Sequence, residues 1–195
     1  MTGQQPARLT ETDIGAWIVQ GNPRTWDYFA ARKDEGLSPG DTRDNGWTLH
    51  SSYRVALMKP DDLVILWLTD IPRRDYWPGG DYWPGVYEIG QLSSEAFENF
   101  GMNPDYILDK TYVPHAGHAV DFGSYILPSP LRSVDLRSDP QLANCEKFRV
   151  PMLGNPLYLT PLETVALSSH LPASQLKKAG WDKVLKRAYY TKATR

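Results

Sequence analysis

The sequence has little cysteine and lacks any long apolar run. Cys145 is the single cysteine among 195 residues, which excludes an intrachain disulfide and a zinc site built from cysteines. No apolar run approaches the length that spans a membrane, and residues 1–13 are polar and do not resemble a signal peptide. We therefore expect a soluble, cytoplasmic protein that does not bind membranes.

Signatures of catalysis and of metal binding are also missing. The chain contains no glycine-rich phosphate loop followed by lysine, no zinc-protease motif and no Gly-x-Ser-x-Gly turn. His115 and His118 are three residues apart, but Gly117 lies between them and the nearby sequence offers no third ligand. The sequence thus predicts a protein that is not an enzyme and has no catalytic residues, metal or cofactor.

Most of the chain also lacks an excess of basic charge. The net charge is −2, but residues 171–195 contain seven Lys and Arg side chains against Asp182 alone, which leaves −8 for the rest. Proteins that bind nucleic acid without sequence preference usually have a broad basic face. If this chain binds nucleic acid, a shaped pocket and a few local arginines must provide much of the affinity.

The apolar residues that are present suffice for one core. Hydrophobic residues make up 41% of the chain, which allows a single sizeable domain. Leu63–Thr69 is a continuous apolar run and predicts a central strand covered on both faces, with 85–92 as its antiparallel partner. We predict a lead-in over residues 1–14, a domain over 15–171 and a basic helical extension over 172–195.

The remaining segments read as short strands and helices separated by turns. Residues 15–20 predict the first strand, and Asn22 followed by Pro23 predicts the start of a helix that ends near Glu35. In the C-terminal extension, Trp181 belongs to an apolar stripe that should dock on the domain. The other predicted elements are a loop over 36–46, a helical turn over 93–100, strands over 120–127, 131–136 and 148–152, and a helix over 160–171.

The connection between the two central strands contains a tandem repeat. Asp75–Gly79 and Asp81–Gly85 both read Asp-Tyr-Trp-Pro-Gly. Tyrosine and tryptophan on a loop stiffened by proline present flat rings at little entropic cost, which suits stacking on a ligand. The same rings would equally suit a cover over one end of a barrel, and both interpretations stay open.

Five segments together resemble a known family. They are WIVQGNPRTWD over 17–27, GWT over 46–48, KPDDLVILW over 59–67, GVYEIG over 85–90 and GNPLYLTPLE over 154–163. In this order and spacing they resemble the EVE proteins, relatives of the YTH readers within the PUA-like superfamily. The resemblance implies an α+β fold, a PUA-like small twisted β-barrel flanked by α-helices. It also implies an aromatic pocket that receives a modified base flipped out of nucleic acid.

Matching positions in the resembling family suggest roles for individual residues. Trp47 matches the first wall of the aromatic cage, Thr48 its backbone or hydroxyl partner, and Gln20 and Asn22 the polar groups that read the base edge. The predicted base-binding set also includes Trp67, Trp77 and Trp83. The predicted phosphate-binding set is Arg24, Arg43, Arg73 and Arg74.

The main hypothesis is therefore a non-catalytic reader of a modified base in nucleic acid, with DNA favoured over RNA. Its partner would be nucleic acid that contains the modified base, with an effector protein as an open second partner. One alternative is a carbohydrate or small-molecule binding module that stacks its ligand on the rings of the repeat, Tyr76, Trp77, Tyr82 and Trp83. Another is a protein-interaction module in which the same loop is an exposed contact patch.

Overall fold

A computed structural model describes residues 8–69, 83–99, 104–109, 111, 117–150, 154–183 and 185. Within them the strands are β1 (Ala16–Gly21), β2 (Thr42–Leu49), β3 (Leu63–Leu68), β4 (Gly85–Leu92), β5 (Phe97–Asn99), β6 (Gly117–Arg132) and β7 (Leu157–Leu159). The α-helices are α1 (Tyr28–Asp34), α2 (Ser133–Ser138), α3 (Glu146–Arg149), α4 (Pro161–Ser169) and α5 (Ala173–Lys178). Short 3-10 turns occupy Glu11–Asp13, Tyr53–Leu57 and Pro104–Tyr106. The predicted α+β class is confirmed.

The strands form one mixed sheet in the order β2-β6-β4-β3-β1-β7, with β5 paired to β6. β1 and β3 are parallel, and the other pairs are antiparallel. The small twisted β-barrel implied by the resemblance needs one correction: among the described strands, β2 and β7 end the sheet and do not pair with each other, so the sheet is not closed. Where β2 approaches β1, the Trp47 indole donates to the Gln20 carbonyl across 3.1 Å, and a side chain takes the place of a backbone ladder.

Alternation along β1 divides the apolar residues into two cores, one on each face of the sheet. Trp17 and Val19 pack in one core with Tyr28 and Phe29 of α1. Ile18 packs in the other core. Every residue of β3 is buried, so the prediction of a central strand covered on both faces is confirmed, as is its antiparallel pairing with β4.

Two predicted elements near the N-terminus are wrong in extent. The first helix begins at Tyr28, where Asp27 caps it by accepting from Ala30 N at 3.0 Å. Asn22 instead forms a turn in which its Oδ1 accepts from Arg24 N at 2.9 Å. The predicted loop over 36–46 becomes a strand from residue 42, because β6 pairs with it over its whole length.

Three later predictions are also corrected. β5 replaces the helical turn predicted over 93–100, because Phe97 pairs with Ala119 of β6. The strand predicted over 131–136 ends at Arg132, where α2 begins. α3 takes the first part of the strand predicted over 148–152. For β5, pairing with a distant strand overrides the local preference.

The C-terminal segment contributes to the core opposite α1. α4 begins as predicted, with Thr160 and Glu163 forming a capping box. Trp181 is fully buried and its Nε1 donates to Gly90 O at 2.8 Å, so its predicted docking is confirmed. Cys145, just before α3, is buried in the same core. None of the helices in the described ranges has both the length and the apolar character needed to cross a membrane.

Candidate functional site

A cleft of about 780 Å³ opens where the ends of β1 and β2 meet the turn after β1. Cavities of this size accommodate small ligands in other proteins. Its lining residues come from distant stretches of the chain. They include Gly21, Asn22, Trp26, Asn45, Trp47 and Tyr106.

Three aromatic rings form a connected wall of the cleft. The ring centroids of Trp47 and Trp26 are 5.8 Å apart with planes at 84°. Trp26 and Tyr106 are also 5.8 Å apart, at 78°. Such edge-to-face contacts hold rings in fixed orientations and stabilise them beyond simple burial. Trp47 is half-buried, so part of its surface remains available to a ligand.

The segment that carries Tyr106 is fastened to the turn after β1. Asp27 N donates to Tyr106 O at 2.7 Å, and Leu108 N donates to Thr25 O at 2.8 Å. The Tyr106 hydroxyl donates to Asp34 Oδ2 of α1 at 3.2 Å. Backbone bonds therefore place this distant segment beside Trp26.

Asn155 joins the two strands that border the cleft. Its Oδ1 accepts from Gln20 N at 2.7 Å, and its Nδ2 donates to Gln20 O at 2.8 Å. Its Nδ2 also lies 3.4 Å from Thr48 O, and its own carbonyl accepts from His50 N at 3.1 Å. One side chain thus satisfies backbone groups at the ends of β1 and β2 that no strand pairing satisfies.

A buried carboxylate organises the floor of the cleft. Glu88 of β4 is 0% exposed. Its Oε1 accepts from the Tyr28 hydroxyl at 2.7 Å and from Arg32 Nε at 3.0 Å. Its Oε2 accepts from Asn45 Nδ2 at 3.1 Å and from Ser124 Oγ at 2.6 Å. Burial, with the nearby charge of Glu88, raises the pKa of Tyr28 well above its ordinary value, so its hydroxyl remains a donor.

Arg43 lies in the cleft wall next to this network. Its side chain is only 10% exposed and its Nη1 forms an ion pair with Glu35. Glu35 also accepts from Arg32 Nη1 at 2.8 Å, which links Arg43 to the Glu88 network. The Nε of Arg43 is buried and has no hydrogen-bond partner among the residues that the structure describes.

Five of the predicted site residues line the cleft, namely Gln20, Asn22, Arg43, Trp47 and Thr48. Gln20 uses its backbone and its side chain in different contacts. Its backbone orients Trp47 and Asn155, whereas its side-chain Oε1 accepts from Lys147. Because side chains alternate along a strand, Gln20 follows Ile18 toward the core on the opposite face.

Three other predicted site residues lie away from the cleft lining. Trp67 is 3% exposed and packs edge-to-face on Phe148, at 5.6 Å, in the opposite core. Trp83 is 42% exposed, with the Arg132 guanidinium 5.6 Å from its ring centroid. Arg24 is exposed beside Asn22. The remaining three predictions, Trp77, Arg73 and Arg74, fall outside the described residues.

Sequence reasoning missed four residues of the site: Trp26, Tyr106, Asn45 and Asn155. Asn45 was detectable in principle, since it lies two residues before Trp47 and shares its face if this stretch is a strand. The other three come from turns, where no periodicity marks the direction of a side chain. Only the tertiary structure brings them together.

Lys147 is a buried cation on the other side of Gln20. Burial lowers its pKa to about 8. Its Nζ donates to Gln20 Oε1 and lies 5.8 Å from the centroid of the Trp67 ring. No carboxylate within the described ranges forms an ion pair with it. The side chain therefore bears the cost of burying a charge without an opposite charge beside it.

No family model matches the chain, and no curated protein matches it. Among solved structures, a hypothetical protein from Leishmania major aligns at a TM-score of 0.51 and 15% identity, over 83% of this chain and 96% of that one. The human THYN1 protein, solved in complex with DNA containing 5-methylcytosine, aligns at 0.47 and 17%, over 80% and 99%. The chain is therefore similar in fold to the Leishmania protein.

Proposed function

We propose that the cleft binds a modified nucleobase extruded from nucleic acid, DNA rather than RNA, and catalyses no reaction on it. The observation that supports this most directly is the half-buried Trp47 ring, which lines an open cleft and makes an edge-to-face contact with Trp26. A flat ring next to polar floor groups matches a planar ligand with a hydrogen-bonding edge.

The energies allow such binding. Extruding a base from a duplex costs a few kcal/mol, and stacking on one aromatic side chain returns about 1–3 kcal/mol. Hydrogen bonds to the base edge would add about 0.5–1.5 kcal/mol each. One tryptophan with two such bonds is thus sufficient to offset the unstacking, and an added methyl group increases the apolar contact.

Phosphate contacts are assigned by exposure. Arg24 is exposed, and its neighbours in the chain, Pro23 and Thr25, line the cleft, so Arg24 suits a phosphate next to the extruded base. Arg43 is nine-tenths buried and paired with Glu35, so it suits a group inside the cleft. The roles of Arg73 and Arg74 remain predictions.

The carbohydrate and protein-interaction alternatives depend on the rings of the tandem repeat. Three of those four rings lie outside the described residues, and the fourth, Trp83, lies away from the cleft. Binding that is insensitive to salt would favour these alternatives, because phosphate contacts make nucleic-acid binding steeply salt-dependent.

Substitution of Trp47 tests the proposed function. Trp47→Ala should weaken binding of a modified duplex by about 1–3 kcal/mol, and Trp47→Phe, which keeps an aromatic ring, by less. The measurement is fluorescence anisotropy with duplexes that differ only in one 5-methylcytosine or N6-methyladenine, with thermal unfolding recorded in parallel. Trp83→Ala removes an exposed tryptophan that does not line the cleft, so a loss of binding in this variant and not in Trp47→Ala would favour the alternatives that use the rings of the repeat.

The two possible roles of Trp47 give different outcomes. A residue that only fills the core would lower stability by about 3–5 kcal/mol on truncation and leave the base preference intact. A folded Trp47→Ala protein that prefers the modified duplex as strongly as the wild type would refute the proposed function.

A further inference from the structure

Three side chains follow one another along the inner face of β2. Arg43, Asn45 and Trp47 are two residues apart, so their side chains point to the same face at intervals of about 6–7 Å. All three line the cleft. β2 therefore offers a stacking ring and two polar groups in a single row along the cleft wall.

The amide of Asn45 has a fixed orientation. Its Nδ2 donates to Glu88 Oε2 at 3.1 Å, and Ser124 Oγ donates to the same oxygen at 2.6 Å. Turning the amide over would place Oδ1 against a carboxylate oxygen with no proton between them, which is repulsive. The network therefore holds Nδ2 toward Glu88 and turns Oδ1 away from it.

Asn45 Oδ1 is thus an acceptor without a protein donor. Asn45 is 7% exposed. Within the described residues its Oδ1 forms no hydrogen bond. It is also not one of the unpartnered atoms that are fully closed off from solvent, which are called sealed atoms below. The oxygen must then be reachable from the cleft that Asn45 lines. A buried acceptor of this kind needs a donor from a ligand or water.

Neighbouring groups in the cleft are unpaired donors. Arg43 Nε and Trp26 Nε1 are buried and have no hydrogen-bond partner in the described residues. Both residues line the cleft. Both N–H groups are sealed from the cleft, so a ligand would reach them only after these side chains move, whereas Asn45 Oδ1 is accessible in the present arrangement.

We infer that Asn45 determines specificity, selecting bases with an exocyclic amino group over the corresponding keto bases. This rests on the proposed function. Asn45 is 7% exposed and lines the cleft. A base that enters with its exocyclic substituent foremost would place that substituent against Asn45. Cytosine and adenine project an amino donor next to a ring-nitrogen acceptor, and thymine and hypoxanthine project a carbonyl oxygen instead. That oxygen would face Asn45 Oδ1 and be repelled.

The closest test compares 5-methylcytosine with thymine, which share a shape and differ in the amino and keto groups. Each is placed opposite an abasic site in the same duplex, so that neither has a pairing partner to lose. The wild type should bind the 5-methylcytosine duplex about tenfold more tightly. This factor corresponds to one hydrogen bond, which Asn45 Oδ1 accepts from the amino group of 5-methylcytosine and lacks with thymine. Adenine against hypoxanthine repeats the same exchange on a purine.

Two substitutions locate the preference. Asn45→Ala should reduce it to within about twofold. Ser124→Ala removes another donor to the same Glu88 oxygen but lies outside the cleft lining, so it should lower stability and retain the preference. If Asn45→Ala does not fold, the wild-type comparisons of 5-methylcytosine with thymine and of adenine with hypoxanthine still test whether the amino bases are preferred.

The outcomes separate this inference from the proposed function. Equal or tighter wild-type binding of the keto bases, with Trp47→Ala still weakening both, overturns the role of Asn45 and leaves the base cleft standing. Loss of the preference in Ser124→Ala as well as in Asn45→Ala overturns the direct contact. If Trp47→Ala changes neither affinity, the proposed function itself fails.

Discussion

Gly21, at the end of β1, leaves room for the ring of Trp47. A Cβ at this position would lie 2.6 Å from Trp47 Cζ2, well inside normal contact. Gly21→Ala should therefore displace the ring without removing it, and weaken binding of a modified duplex by about 1–3 kcal/mol, the range for a lost stacking contact. Anisotropy titration of the variant measures the effect.

Gly123 provides the control for that substitution. It also lies in a strand, β6, but an added Cβ there would meet nothing within 4 Å. Gly123→Ala should leave binding unchanged. Equal affinities for the wild type, Gly21→Ala and Gly123→Ala would show that binding of the modified duplex does not depend on the present position of the Trp47 ring.

Lys147 should give the stability of the protein a characteristic pH dependence. Burial lowers its pKa from 10.5 to about 8 in the folded state. Between those values the unfolded chain binds more protons than the folded one, so the free energy of unfolding rises with pH across this window. Below about pH 8 the full cost of the buried charge is present, up to about 3 kcal/mol.

Lys147→Met tests this by removing the charge and keeping an unbranched side chain of similar size. Relative to the wild type, the variant should gain stability at pH 7, and this advantage should shrink by pH 10.5. Urea unfolding of both proteins at the two pH values gives the difference, in which the other lysines cancel. The same difference at both pH values would show that Lys147 does not titrate as inferred.

At the level of elements, the segment after α5 is part of the structural core. Trp181→Ala should destabilise the protein by about 3–5 kcal/mol, because it creates a cavity and leaves Gly90 O without its donor. Trp181→Phe should cost less, since it loses mainly the hydrogen bond. Chemical denaturation measures both, and an unchanged midpoint for Trp181→Ala would contradict the packing.

Elements with a strong local signal were predictable from sequence. The continuous apolar run of β3 and the capping box at Thr160 both specify their structure within a few residues. β2 and β5 have no such signal, and both form by pairing with β6, where Ala119 has a partner in each of them. Their prediction would have required knowledge of the partner strand.

The candidate site was partly predictable for the same reason. Trp47 and Thr48 were found because they stand in a family-like segment, and both line the cleft. Trp67 stands in a similar segment, but the register of β3 against β1 turns it into the opposite core. A shift of one residue along a strand reverses the face, and sequence alone does not fix that register.

For the whole molecule, charge and specificity are expected to reside in different places. The basic side chains concentrate after residue 171, and Lys177 and Lys178 of α5 are exposed. Replacing both by Gln should lower affinity for modified and unmodified duplexes by the same factor. The slope of log affinity against log salt should decrease by up to about 2.

Charge substitution is a sharper test than removal of residues 172–195, which would also delete the buried Trp181. The measurement is a salt titration of both duplexes with the wild type and the double variant. A change in the ratio of the two affinities would show that the basic segment helps to choose the base.

The burial of Cys145 has a practical consequence for kinetics. Its thiol is 2% exposed, and burial raises its pKa, so the folded protein should react slowly with thiol reagents. It lies in the core on the face opposite the cleft, where a bound ligand cannot shield it. When labelling requires global unfolding, a ligand slows it by the factor 1 + [L]/Kd. The rate at which a thiol reagent labels Cys145 should therefore report how much of the cleft is occupied, and the ligand itself needs no label.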